Sequence, residues 1–223
     1  MLGRRRASEL CLTLALTGCA AQQSAATEPT VHTASAGVTP ENSSPEAAAR
    51  ARLRAVIRDQ SFLEHLSDAV RVSTISEPFS GRMVILYMVD DRGAARGAQV
   101  ADLAESGVTR EALRAVAEWN LAQVLKEPLS CTSHALGEPA RHNFYESSRL
   151  LLDKQWADLA AKVGTVVVAV PSNDTLFVAC NPTPEVLQKL SVVVQNSYPH
   201  AARPVSPSLL TWTKDGWSEL PSP

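Results

Sequence analysis

Two apolar runs constrain this chain more than anything else in it: "RMVILYMVDD", Arg82 to Asp91, and "TVVVAV", Thr165 to Val170. The unbroken apolar middle of the first predicts a strand covered on both faces. The second is dominated by β-branched residues and predicts another strand. It runs into "AVPSNDTLF", Ala169 to Phe177, where Pro171 cannot donate to a ladder and Ser172, Asn173 and Asp174 are residues that bond their own backbone in turns. A hairpin from Thr165 to Cys180 accounts for that stretch.

Helical patterns fill the spaces between. Leu53, Val56, Ile57, Leu66 and Val70 recur near the 3.6-residue period and predict one or two amphipathic helices over Ala51 to Val72. Thr109 is a good N-cap for a helix presenting Leu113, Val116, Leu121 and Val124 and stopping before Pro128. Asp153 is placed to cap a short helix with Trp156, Leu159 and Val163, ended by Gly164. Thr183-Pro184-Glu185 combines a cap, a first-turn proline and an acid at the positive end of the dipole, and opens a helix burying Val186, Leu187, Leu190, Val193 and Val194. Leu129 to Leu136 reads as a strand with Phe144 to Leu152 as its return, and "SLLTWTKDGWSEL" as two short strands around Lys214-Asp215-Gly216. Trp119, Trp156, Trp212 and Trp217 are expected as core and strand-face anchors. Irregular alternation with adjacent hairpins predicts an α+β fold: a single compact domain with an antiparallel or mixed sheet and packed helices.

The N-terminal end reads differently. Arg4-Arg5-Arg6 precedes a short apolar stretch, Leu10 to Leu16, and the small residues Thr17 and Gly18, the order of an export signal. The apolar stretch is far short of the roughly 20 residues that span a bilayer core. Leu16-Thr17-Gly18-Cys19 resembles the bacterial lipobox, which implies lipidation of Cys19 and, with Ala20 next, an outer-membrane address if the cell is Gram-negative. Residues 19–49 hold no aromatic residue and are rich in Ala, Ser, Thr, Pro and Glu, too little apolar surface to offset the entropy of ordering them. The expected organisation is therefore a signal peptide at 1–18, a disordered tether at 19–49 and the α+β domain at 50–223.

Removing residues 1–18 takes away three arginines and one glutamate, leaving 18 basic and 22 acidic residues and a formal charge of −4. No basic tract survives, which argues against nucleic acid as a partner. With Cys11 discarded and Cys19 lipidated, Cys131 and Cys180 remain. They are either a disulfide permitted by an oxidising compartment or two buried thiols.

Five stretches, "LYMVDD", "GVTREALRAVAEWNL", "YESSRLLLDKQWADLAAKVG", "VVAVPSNDTLF" and "PVSPSLLTWTKDGW", lie in that order along most of the folded part. In this they resemble the YtpQ-like family of uncharacterised bacterial proteins, a domain of unknown function. The resemblance implies a compact α+β domain without an assigned activity. Where that family has a basic residue after the serine of the proline loop, Asn173 stands here.

Chemistry-bearing residues are sparse. His32, His65, His134, His142 and His200 are scattered without HxxxH or CxxC spacing, and no metal or other cofactor is expected. Ser172 lacks the Gly-x-Ser-x-Gly elbow, and the best triad to be assembled is Ser172, Asp174 and His142. Asp90 and Asp91 are adjacent on a strand and point to opposite faces. If the family-like stretches meet in space, Tyr145, Glu146, Ser172, Asn173 and Asp174 form a polar rim beside a strand end. The expected function is a lipid-anchored envelope protein that binds a protein or small ligand. The alternative is an envelope hydrolase using Ser172 or the Asp90 and Asp174 carboxylates. Mass spectrometry of the mature protein is expected to find Cys19 as the first residue with a diacylglyceryl adduct; an unmodified chain cut elsewhere removes the anchor.

Overall fold

The computed structural model describes residues 44–91, 94–131 and 144–221. The export signal, Cys19, His134 and His142 lie outside them. The described chain is an α+β unit of two antiparallel four-stranded sheets with helices packed on them.

A helix opens it ahead of the expected boundary at residue 50. Ser44 accepts from Ala47 N at 3.2 Å and Pro45 takes the first turn, so α1 runs Pro45–Ala51 and buries Ala49. The next segment departs from the helical expectation. Leu53–Asp59 is a strand, β1, followed by the short helices α2 (Ser61–Glu64) and α3 (Asp68–Ser73). Leu53, Val56 and Ile57 satisfy a helical period by coincidence, because a strand buried on both faces can show apolar residues at any spacing.

The first sheet centres on β3 (Met83–Asp91), the long apolar run. Along one side β3 pairs with all of β1, from Leu53↔Val89 to Asp59↔Met83. Its other side is shared by β2 (Ser76–Pro78), opposite Val84 to Leu86, and β4 (Ala94–Gly97), opposite Met88 to Asp91. At the handover Ala98 N donates to Tyr87 O and Tyr87 N to Ile75 O, so the ladder continues across the junction. A helix α4 (Val100–Ser106) ends on left-handed Gly107 and leads to α5 (Arg110–Val124), where Thr109 caps Ala112 N at 3.3 Å.

Leu129, Ser130 and Cys131 belong to no strand, and the rest of the expected strand to Leu136 lies outside the described residues. Its expected return is not a strand either. Glu146–Leu151 is a 3-10 helix, all six residues of it buried. Then come α6 (Asp153–Val163), β5 (Val166–Ser172), β6 (Thr175–Cys180), α7 (Pro184–Ser197), β7 (Leu209–Thr213) and β8 (Gly216–Glu219). The second sheet has the order β6-β5-β7-β8. Asp153 is the first residue of α6 and makes no capping bond. Cys131 is joined to Cys180 at the end of β6, Cα to Cα 5.6 Å.

One core fills the space between the inner faces of both sheets, uniting Ile57, Ile85 and Tyr87 with Val168, Leu176 and Leu210. Each such aliphatic side chain contributes roughly 1.5–3 kcal/mol by its burial. Behind the second sheet, Val167, Ala169 and Leu209 pack on Leu190 and Val194 of α7. Trp156 and Trp217 meet edge to face at 4.8 Å and Trp212 adds to Trp217 at 5.2 Å, whereas Trp119 is 65% exposed on α5 and anchors nothing in the core.

The buried 3-10 helix ties these parts together through polar groups. Ser148 Oγ accepts from Ile57 N on the open edge of β1 at 3.2 Å. Trp156 and Trp217 donate to the carbonyls of Arg149 and Leu150. Arg149 Nε donates to Glu146 at 2.8 Å and its Nη1 to Glu127 O at 2.9 Å, both side chains being at most 4% exposed. Arg149→Met is expected to lower unfolding stability in urea by about 3–5 kcal/mol, because Glu146 is left as an uncompensated buried charge. Glu146→Gln combined with Arg149→Met is expected to recover part of that loss.

Candidate functional site

Because side chains alternate along a strand, β1 and β3 have a second face whose residues do not enter the main core. Val56, Val84 and Leu86 form its apolar floor, with Phe62, Leu63, Met88 and Tyr145 packed around. The covering is incomplete, and a cleft of about 510 Å³ remains. Arg58, Asp90, Ala95, Phe144 and Arg203 also line it.

The two ends of the cleft differ in charge. Arg58 is opposite Val84 at one end of the β1–β3 ladder, and Pro204 O accepts from Asp59 N there, which brings Arg203 to the same end. Asp90 stands beyond Met88 at the other end, opposite Ala95. Its Oδ2 accepts from the Tyr145 hydroxyl at 2.7 Å; burial, then this bond, raise the phenol pKa above its ordinary value.

Arg58 is unusual for a guanidinium. It is 8% exposed, and among the described residues its Nη1 donates only to the adjacent Ile57 carbonyl, at 2.8 Å. The neighbouring carboxylate, Asp59, is engaged by Arg82 at 3.3 Å and by Tyr198 at 3.0 Å. Among the described residues no carboxylate forms an ion pair with Arg58, and burial followed by the Arg203 charge lowers its pKa to about 10. Arg203 itself is exposed and lies over the Phe144 ring at 5.3 Å.

The expected polar rim is split. Tyr145 belongs to the cleft just described. Glu146 is fully buried against Arg149 and lines neither of the two hollows. Ser172, Asn173 and Asp174 line a second hollow of about 530 Å³, with Phe144 and Arg203 forming the wall common to both.

Within that second hollow, Ser172 Oγ donates to Asp174 Oδ1 at 2.6 Å, and Thr175 Oγ1 donates to the same oxygen at 3.1 Å. Asn173 is 4% exposed: its Nδ2 donates to Phe144 O, its backbone N to Arg203 O, and its carbonyl accepts from Ser147 N. These are the bonds of a turn held against the 3-10 helix and the 203 loop. Asp90 and Asp174, the carboxylates of the hydrolase alternative, line different hollows. His142 lies outside the described residues. Among the described residues no group of three or more His, Cys, Asp or Glu side chains is placed to hold a metal ion, and no helix is long and apolar enough to cross a membrane.

Arg58, Phe62, Met88 and Arg203 were not among the sequence-derived candidates. Reading residues 51–72 as helix stacks Arg54 and Arg58 on one face and turns Val56 away from them, whereas in a strand Arg54, Val56 and Arg58 share one side. The alternation Leu53, Ala55, Ile57 was the available signal. No family model, no curated protein and no solved structure matches this chain.

Ser172→Ala is expected to cost about 0.5–1.5 kcal/mol of stability, the net worth of one hydrogen bond. A fluorophosphonate probe is expected to leave Ser172 unlabelled, and specific labelling there would make this residue a nucleophile.

Proposed function

We propose that the protein is a lipid-anchored cell-envelope protein, facing the periplasm from the outer membrane if the cell is Gram-negative, whose α+β domain of the YtpQ-like kind binds a small ligand in the cleft on the outer face of the first sheet. The lipobox-like Leu16-Thr17-Gly18-Cys19 supports the anchor, and the low-aromatic stretch after it supports a tether between anchor and domain. The observation that carries the binding reading is the cleft itself. Its volume is of the size of small-molecule sites, and its mainly apolar walls converge on a few polar groups.

Photolabelling of the full lipidated protein in phosphatidylcholine nanodiscs tests the site. Neutral trifluoromethyl-phenyldiazirine is expected to label saturably the peptides carrying Phe62 and Met88, and Met88→Glu to abolish that labelling while the thermal melt is retained. Labelling without enrichment on those peptides would overturn the site.

A further inference from the structure

Among the described residues, charge in the cleft is out of balance at one end. Arg58 is nine-tenths buried, and Arg203 adds a second guanidinium beside it rather than a carboxylate. A buried cation without a counter-ion is costly, and proteins hold one where an anion completes it. Guanidinium groups present planar forks of donors that match the oxygens of carboxylates and phosphates. Arg58 uses one nitrogen on a backbone carbonyl, and Arg203 is positioned by the Phe144 ring.

The rest of the cleft determines what the anion is attached to. Away from Arg58 the floor is Val56, Leu86 and Met88 with Phe62 at the side, surfaces that have nothing to offer a charge. At the far end Asp90 repels a second anion and disfavours the reversed orientation. Resting on the reading that this cleft is the ligand site, we propose that its ligand is an amphiphilic oxyanion, with a carboxylate or phosphate head between Arg58 and Arg203 and an apolar body lying on Val56, Leu86 and Met88.

Protection from the diazirine label, on the same lipidated protein in nanodiscs, tests the inference with three probes of one apolar body: phenylbutyrate, phenylbutyl phosphate and phenylbutanol. One anionic probe at least is expected to protect the Phe62 and Met88 peptides at about tenfold lower concentration than the alcohol, an interval typical of one charge-assisted contact. Whichever head protects better names the class of oxyanion. Arg58→Gln and Arg203→Gln are each expected to bring protection by the anionic probe down to that by phenylbutanol measured on the same variant; Arg203 is exposed, so its variant remains informative if Arg58→Gln misfolds. Equal protection by all three probes, with cleft labelling intact, overturns the oxyanion and leaves the binding site standing. Loss of cleft labelling itself overturns the site.

Discussion

Arg149 donates from Nε to Glu146 and from Nη1 to the carbonyls of Leu125 and Glu127, the region where α5 has just ended and its last carbonyls lack helical partners. A guanidinium at the negative end of a helix dipole is favourable, and here it also fixes the buried 3-10 helix against α5. From that fixed position the helix reaches both sheets: Ser148 to the open edge of β1, and the Arg149 and Leu150 carbonyls to the indoles of Trp156 and Trp217. A short polar segment inside a core is expensive. Glu146 Oε1 and Ser147 Oγ have no hydrogen-bond partner among the described residues, so part of that expense is not offset. The sheets meet around this segment, and its exact placement sets where Tyr145 and Phe144, immediately before it, stand over the second face of the first sheet.

That second face shows how one strand serves two ends. Leu53, Ala55 and Ile57 of β1 belong to the main core, while Val56 and Arg58 face the cleft, and both sets are buried. The edge of β1 away from β3 is closed by single groups rather than by a strand: Asn120 on the Leu53 carbonyl, Ser148 on the Ile57 amide, Pro204 on the Asp59 amide. The Pro204 contact holds the 203 loop to β1 and the Phe144 ring lies against the Arg203 guanidinium, so among the described residues the position of Arg203 depends on a main-chain bond and a ring contact and not on an ion pair. Its guanidinium is thereby left for other use.

Elements whose signals are local were legible in the chain. The β5–β6 hairpin follows from Pro171 and the Ser-Asn-Asp turn, α7 from Thr183-Pro184-Glu185, and α5 from Thr109 and its apolar stripe. Elements whose identity is decided by neighbours were not. β1 mimics a helix because Val56, buried on the second face, interrupts the alternation of Leu53, Ala55 and Ile57. The "ESSRLL" segment reads as a strand until Glu146 and Arg149, three apart, close on each other in a tight helix. The short β2, β4 and α4 have too few residues to show a period. Of the candidate site, the turn chemistry of Ser172 to Asp174 was readable, while the cleft was not, since Arg58, Phe62, Met88 and Arg203 converge only through tertiary contacts.

The bond between Cys131 and Cys180 encloses a stretch that begins just past α5 and ends with β6. The buried 3-10 helix, α6 and the β5–β6 hairpin all lie inside this covalent ring, as do Tyr145 of the cleft and the Asn173 turn. A protease that cuts once anywhere between the two cysteines therefore opens the ring without releasing either half. Both broken ends stay attached to a body already held by the core, a form of insurance against nicking.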